Sequence, residues 1–327
     1  MFFYLARRIV NYAILLLIAV TLAYFLAASQ LEPRSLYELR NPPLDPVSIE
    51  TSLRNYNLSD QVPIFERFVT WARGVVMHWD WGKSPFGGSV NEEIGRRVFV
   101  SLRLVVLGAF LGMGVGVALG AWTATRQYKV SDRVISIISL IIISTPAMVI
   151  AILLQVLAVR FNQTFDSQFF EFSGETGEIG DYPGAAIVDR LQHLLLPTIS
   201  MSLGGIASYS RYQRNLMLDT LGADYVRTAR AKGLRKGVAV RRHALRTALI
   251  PMGTYFAFAI TSMVLGASIT ERVYAWHGMG IYGVESIQKH DVHGTVAVVA
   301  FSGTATLTGA FLSDVLVAII DPRVRVS

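Results

Sequence analysis

The sequence predicts an all-α membrane protein that crosses the bilayer several times, and two observations carry this prediction. Of its 327 residues, 52% are hydrophobic and 16% are charged, a balance that is rare in soluble domains and common in polytopic membrane proteins. A helix needs about 20 mostly apolar residues to cross the hydrocarbon core. Six segments qualify as membrane-spanning helices: 9–29, 102–124, 135–159, 194–210, 249–270 and 295–320.

The first and fourth segments each admit a second interpretation. Arg7 and Arg8 precede the first apolar run, as in a secretory signal, but a run of about 20 residues exceeds the 7–15 of signal peptides, so we expect a retained anchor helix. The fourth segment is diluted by a proline and by small or polar residues: Pro197, Ser200, Ser202, Gly204 and Gly205. We expect either a polar wall or a short, tilted helix there.

The distribution of charge predicts the topology. One set of segments holds 17 Lys/Arg against 4 Asp/Glu: the N-terminus, 125–134, 211–248 and the C-terminal tail. The other set holds 12 against 18: 30–101, 160–193 and 271–294. By the positive-inside rule the first set is cytoplasmic, so we expect a multi-pass protein with both termini inside. The net charge of +7 is then a topological signal, and no nucleic-acid partner is expected.

These spans divide the chain into three parts. Residues 1–29 form the N-terminal cytoplasmic end and first membrane helix, 30–101 form an exterior region, and 102–323 hold the five further spans. Within the exterior region, apolar residues recur at helical spacing: Phe65, Phe68, Val69, Ala72, Val75 and Val76. They predict an amphipathic helix, which either lies at the membrane interface or packs on the rest of the loop.

Two spans carry a distinctive pattern. The second contains four glycines at a strict spacing of four, Gly108, Gly112, Gly116 and Gly120, which predicts close helix packing or, less simply, a sliding contact. In the third, Pro146 frees a backbone acceptor in the preceding turn and so predicts a kink. The candidate residues for a substrate path are Ser144, Thr145, Pro146 and Gln155. Plain packing also explains such a kink.

The sequence offers no sign of catalysis or of a metal or cofactor site. It has no cysteine, and no catalytic motif stands in a plausible context. Carboxylates in the 160–193 loop, among them Glu171 and Asp189, are accompanied by one histidine, His193, and we expect a solvated acidic loop without metal. The spans nearly lack ionisable residues, which disfavours an ion-driven carrier. If the chain is a transporter, we expect its energy to enter from another subunit.

A basic segment between the fourth and fifth spans is the candidate docking surface. Tyr225, Val226, Ala229 and Gly233 fall on one face of a short helix, where small residues let a partner approach closely. Asp224 suits the first turn, Gly233 suits the position past the C-terminus, and Arg230 and Lys232 suit the last turn. The alternative is a basic loop that only enforces topology. The candidate coupling residues are Asp224, Tyr225, Arg227, Thr228, Ala229, Arg230, Ala231, Lys232 and Gly233.

Segment 224–234 and the following 243–251 resemble the cytoplasmic coupling segment of ABC importer permeases of the dipeptide/oligopeptide (and nickel) family. The general family pattern is Glu-Ala-Ala, three residues, then Gly; here Ala229 and Gly233 match, while Arg227 and Thr228 depart from it. Other segments are similar to that branch: Arg7-Arg8-Ile9, Ser144-Thr145-Pro146, Leu196-Pro197, Arg211 with Arg214, 271–280 with His277 where the family has proline, and Asp321-Pro322-Arg323.

The resemblance implies a type I ABC importer permease fold with six transmembrane helices and a coupling helix at 223–233. It implies a peptide importer in the bacterial cytoplasmic membrane, with nickel or another small solute as the alternative cargo. The implied partners are a second homologous permease, two cytosolic ATPases or a fused one, an external substrate-binding protein and the lipid bilayer. ATP and Mg²⁺ would be bound by the ATPases, so this chain needs no cofactor. A secondary carrier and a membrane scaffold are the rival classes.

Overall fold

The computed structural model describes residues 2–38, 44–177 and 183–320, and within them the chain is helical, with no named strand. The predicted all-α class is confirmed. The longer helices are α1 (Phe2–Gln30), α3 (Pro46–Asn55), α4 (Ile64–His78), α5 (Val90–Ala124), α6 (Val130–Ser144), α7 (Ala147–Thr164), α8 (Ala185–Leu221), α9 (Asp224–Ala231), α11 (Leu245–Val273), α12 (Met279–Gln288) and α13 (Val292–Ile320). Two single turns, α2 (Ser35–Glu38) and α10 (Lys236–Ala239), and a π-helical turn (Val240–Ala244) complete the order.

Five of the six predicted spans lie within single helices, namely α1, α5, α8, α11 and α13. Four described stretches are long and apolar enough to cross a membrane: Ala6–Glu38, Val90–Ala124, Ala147–Thr164 and Val292–Val315. The chain is therefore a multi-pass membrane protein, while the count of six spans stays a prediction.

The kink predicted at Pro146 is a complete break, which divides the third predicted span into two helices. Helix α6 ends at Ser144 and α7 begins at Ala147. Thr145 between them is extended, with φ −95° and ψ 128°, because the proline ring disfavours helical geometry in the residue before it. Pro146 then stands immediately before the first turn of α7, a position that tolerates its missing N–H.

The chain forms two compact units. The first unit contains residues 2–102 and 277–305, and the second contains 103–276 and 306–320 within the described part of the chain. In the first unit, α4 packs Phe68, Ala72 and Val75 against a buried cluster around Trp71. The packed alternative for the amphipathic helix is confirmed for these three residues, whereas Phe65, Val69 and Val76 on the same helix are exposed.

In the second unit, the glycine face of α5 lies directly against α8, which confirms the predicted helix packing. A Cβ atom built on Gly112 would lie 3.4 Å from the Cα atom of Gly205. One built on Gly116 would lie 2.7 Å from the Cβ atom of Tyr209, and one on Gly120 would lie 2.3 Å from the carbonyl oxygen of Ser210. At Gly116 and Gly120 the two helices therefore approach so closely that no larger residue fits without a shift of the backbone or of Tyr209.

We expect Gly120→Ala to lower the melting temperature of the protein in detergent, because the added methyl group meets a backbone carbonyl that cannot turn aside. Overpacking of this kind costs about 1–3 kcal/mol. Gly114→Ala is the matched control on the same helix, since a Cβ atom there meets nothing within 4 Å. Equal melting temperatures for the two variants would contradict the close packing of α5 on α8.

Candidate functional site

A cavity of about 380 Å³ opens in the second unit between the α6–α7 break, α8 and α11. Most of its lining is apolar. The lining residues with a side-chain hydroxyl are Thr145, Ser200, Ser208, Tyr209, Tyr255 and Thr270. A largely apolar cavity with a few converging hydroxyl groups is typical of a small-molecule binding site, and it is the candidate substrate path of this chain.

The structure brings only part of the predicted path to this cavity. Thr145 lines it, but Ser144 and Pro146 are exposed and do not. Gln155 lies elsewhere, because its side-chain nitrogen donates a hydrogen bond of 2.9 Å to the carbonyl oxygen of Val273 and so ties α7 to the end of α11. Of the four predicted residues, Thr145 is therefore the one that the structure places at the cavity.

The fourth predicted span supplies a wall of the cavity, as one of its two interpretations expects. Ser200, Gly204 and Ser208 lie on α8 at a spacing of four, which puts them on one face of the helix. Continuing that spacing from the first two would have found Ser208. Tyr255 faces this wall from α11, and its ring centroid lies 5.4 Å from that of Tyr209. The sequence carries no signal that pairs these two tyrosines, because they come from different helices.

The predicted coupling segment forms α9, and its end is set by Gly233. This glycine has φ +88°, a left-handed conformation that residues with a Cβ atom adopt at a cost. Its N–H donates to the carbonyl oxygen of Arg230 at 3.0 Å, and the N–H of Leu234 donates to that of Ala229 at 3.3 Å. This pair of bonds is a Schellman motif. The predicted position of Gly233 just past the helix is confirmed.

One face of α9 is buried against its own unit. Val226 and Ala229 are 2% and 6% exposed and pack in a cluster of buried residues with Ala124, Met217, Ala239, Ala244 and Ala248. The prediction that the small side chain of Ala229 faces a docking partner is therefore wrong. The spacing correctly groups Val226 and Ala229 on one face, but that face anchors α9 to the second unit.

The other residues of α9 and the two residues that follow it are exposed, and we call them the coupling surface. Its members are Asp224, Tyr225, Arg227, Thr228, Arg230, Ala231, Lys232 and Gly233. Three of the eight are cations and one is an aromatic residue that is 43% exposed. An exposed tyrosine within a basic rim can contact an apolar or acidic surface on another protein.

The π-helical turn aligns the helix that supports α9. Ala239 and Ala244 are fully buried and stand five residues apart, at the two ends of this turn. The hydrogen bonds of a π-helix span five residues, whereas those of an α-helix span four, and both alanines face the same cluster. Ala248, one α-helical turn further on α11, continues the buried face. The small side chains allow α11 to begin close beside α9.

A buried ion pair connects α6 to α8. Nε of Arg214 donates to Oδ1 of Asp132 at 2.6 Å, and its Nη2 donates to Oδ2 at 2.8 Å. The Asp132 side chain is 3% exposed, and the N–H of Tyr128 adds a third bond to it. The hydrogen bonds from Arg214 hold the pKa of Asp132 below its usual value. This pair fixes the beginning of α6, the helix that is followed directly by Thr145 in the cavity lining.

Similarity to known proteins identifies the family of this chain. A family model described as the inner membrane component of binding-protein-dependent transport systems matches residues 116–326. The chain belongs to this family. It is therefore a membrane component of a transport system, and the matched region contains α6 to α11, with the cavity and the coupling surface.

Individual relatives extend the similarity beyond that region. The chain is 43% identical to the oligopeptide transport system permease protein OppB of Mycobacterium tuberculosis (strain ATCC 25618 / H37Rv), over 99% of both chains. It is 29% identical to the oligopeptide transport system permease protein AppB of Bacillus subtilis, over 98% of this chain and 99% of that protein.

Among solved structures, inward-facing conformations of the MetNI methionine ABC transporter match with a TM-score of 0.51 and 17% identity. The match covers 71% of this chain and 97% of the other. It shows the type I ABC importer permease fold.

We expect Asp132→Asn to destabilise the second unit by about 3 kcal/mol, because it leaves a largely buried guanidinium without its carboxylate. Arg133→Gln, an exposed neighbour on the same helix, is the control. The pKa of Asp132 is lowered by folding, so its contribution is present above the unfolded pKa of about 3.9 and is lost as pH falls through the folded value. Between pH 8 and pH 5, the difference in melting temperature between Asp132→Asn and the unmodified chain should stay constant. Equal melting temperatures for Asp132→Asn and Arg133→Gln would contradict the role of the pair.

Proposed function

We propose that this chain is the membrane-spanning permease subunit of an ATP-driven importer of peptides. The full-length similarity to relatives named as oligopeptide permeases supports the substrate class. The observation that carries the mechanism is the attachment of the coupling surface to the same helices that line the cavity. A partner that moves α9 moves the cavity walls with it.

The proposed partners are separate subunits that each carry out one task of transport. The coupling surface receives one cytosolic ATPase subunit, a second homologous permease completes the path, and a second ATPase, or the other half of a fused one, docks on that permease. An external binding protein delivers the substrate, which agrees with the family's description as part of a binding-protein-dependent transport system. ATP and Mg²⁺ are bound by the ATPases, and both termini of this chain lie in the cytoplasm of a bacterial cell.

Motion passes from the coupling surface through packed side chains. Val226 and Ala229 press α9 into the cluster that contains Met217 of α8 and Ala248 of α11. From Met217, α8 runs as a continuous helix to Ser208 and Ser200 in the cavity wall. A tilt of α9 therefore reaches the cavity as a rigid-body movement of helices, which is the kind of change that alternates access.

The chemistry of the cavity favours a peptide over a bare metal ion. Within the described part of the chain, its lining contains no Asp, Glu, His, Lys or Arg, so it offers nickel no nitrogen or carboxylate ligand. Hydroxyl groups such as those of Ser200 and Ser208 can both donate and accept hydrogen bonds. They can satisfy the backbone amides of a peptide without selecting the charge of its side chains.

Uptake of a labelled oligopeptide into proteoliposomes that contain the assembled transporter tests this function. ATP on the side of the ATPases should drive uptake, and a proton or sodium gradient without ATP should not. Tyr225→Ala should reduce peptide-stimulated ATP hydrolysis and uptake by about tenfold, the effect of losing roughly 1.4 kcal/mol at an interface. The melting temperature should not change, because Tyr225 is exposed.

Tyr128→Ala is the matched control, since it removes an exposed tyrosine from the same predicted side of the membrane, outside the coupling surface. Equal losses in both variants would refute the coupling role of Tyr225. Uptake that is driven by an ion gradient alone would refute the proposed class. Orientation is read from the same protein: a cysteine at Tyr225 should react only from the cytoplasmic side, and one at Ser173 only from outside.

A further inference from the structure

A cluster of three titratable side chains in the second unit lies outside both the cavity and the coupling surface. Glu171 follows α7, and Asp189 and His193 stand one turn apart on α8; one donor atom of each lies within 4.8 Å of the others. Asp189 and His193 are 5% and 3% exposed. The expected solvated acidic loop is therefore wrong for Asp189, while Glu178 and Asp181 of the same loop lie outside the described residues.

The hydrogen bonds of His193 fix which of its nitrogens carries a proton. Nδ1 lies 2.9 Å from the backbone carbonyl oxygen of Asp189 and 3.3 Å from its Oδ1. Both oxygens only accept, so Nδ1 carries the hydrogen. In the neutral ring Nε2 then presents a lone pair, and it lies 3.5 Å from Oε2 of Glu171. These two electron-rich atoms are held together either by a proton on Nε2 or by a cation bound between them.

Asp189 adds a further acceptor without a donor. Its Oδ1 accepts the N–H of Gly177 at 2.9 Å, but its Oδ2 is buried and has no hydrogen-bond partner among the described residues. A buried carboxylate oxygen left in this state is costly. The cluster thus combines a histidine lone pair, a carboxylate of Glu171 and a free oxygen of Asp189, and each of them can serve as a metal ligand.

We infer that Glu171, Asp189 and His193 form a binding site for a divalent transition-metal cation, with Zn²⁺ as the representative ion. Zinc binds nitrogen at about 2.0–2.1 Å and carboxylate oxygen at about 2.0–2.2 Å, so two ligands of a tetrahedral ion stand about 3.4 Å apart. The distance between Nε2 and Oε2 matches this value without any movement. Donation from Nδ1 to a backbone carbonyl is also the usual arrangement around a metal-binding histidine.

The surroundings of the cluster fit an ion that keeps water ligands. Glu171 and His193 border a cavity of about 520 Å³, whose other polar residues include Asn162 and Ser173. This cavity provides an entry path and room for water. On the other side the chain passes so close that a Cβ atom on Gly177 would lie 2.8 Å from Oε2 of Glu171. The mixed nitrogen and oxygen donors favour zinc-like ions over Ca²⁺ and Mg²⁺, which take oxygen ligands.

A bound cation would fasten the segment after α7 to the beginning of α8, at the end of that helix far from the coupling surface. The same segment is already attached to the end of α11, because the N–H of Gly174 donates to the carbonyl oxygen of Tyr274 at 2.9 Å. The ion would therefore hold the ends of α7, α8 and α11 together while their other parts form the cavity. This role does not depend on the substrate of the transporter.

Zinc titration of the full-length chain in detergent, without a polyhistidine tag, tests the site. We expect one Zn²⁺ to bind in isothermal titration calorimetry and to raise the melting temperature, and we expect Ca²⁺ to do neither. Glu171→Gln should weaken zinc binding by about tenfold or more, since it removes one ligand. This variant keeps the shape of a partly exposed side chain and is expected to fold.

His277→Gln is the matched control, because it removes an exposed histidine outside the cluster and should leave zinc binding unchanged. Asp189→Asn provides a second variant of similar shape and should also weaken binding. Three results would overturn the proposal: zinc does not bind to the unmodified chain, Glu171→Gln binds as tightly as His277→Gln, or Ca²⁺ binds as tightly as Zn²⁺. A proton would then occupy the gap between His193 and Glu171.

Discussion

The close approach of α5 to α8 is the contact on which the second unit depends. Cβ atoms built on Gly116 and Gly120 would lie 2.7 Å from the Cβ atom of Tyr209 and 2.3 Å from the carbonyl oxygen of Ser210, so this approach is possible only without side chains at these two positions. In a membrane, such packing replaces the hydrophobic driving force that stabilises soluble cores. Because α8 carries both the cavity wall and Met217 beneath α9, the glycine contact also fixes where the transport machinery of this chain lies.

Two further contacts connect α8 to α6 and to α9, so that α8 links the other helices of the unit. Arg214 holds the beginning of α6 through Asp132, and the end of α6 reaches the cavity at Thr145. The anchoring of Val226 and Ala229 changes how the coupling segment is understood. Its small residues hold α9 on the unit, and the larger exposed residues around Tyr225 form the surface that we propose receives the ATPase. When a partner moves a firmly packed helix, the neighbouring helices move with it, whereas a loosely held helix would move alone.

Local pattern predicted those parts of the structure that short stretches of chain determine. The spacing of Gly108 to Gly120 predicted a packed face, and Gly233 predicted the end of α9. The same reasoning placed Ala229 on the wrong side, because spacing tells which residues share a face but not what that face meets. The Asp132–Arg214 pair joins residues 82 positions apart, and the cluster of Glu171 with His193 depends on how a loop folds back. No pattern within one segment carries that information.

The central claim is that α9 and α8 move as one body when the ATPase acts. The chain has no cysteine of its own, so spin labels can be placed at Thr228 on α9 and Ile187 at the far end of α8, both of which are exposed. Pulsed electron paramagnetic resonance then measures the distance between them without nucleotide and with ATP bound in the assembled transporter. The account predicts a change of no more than about 2 Å, while a change of about 5 Å, one helical turn, would show that α9 moves independently and contradict it.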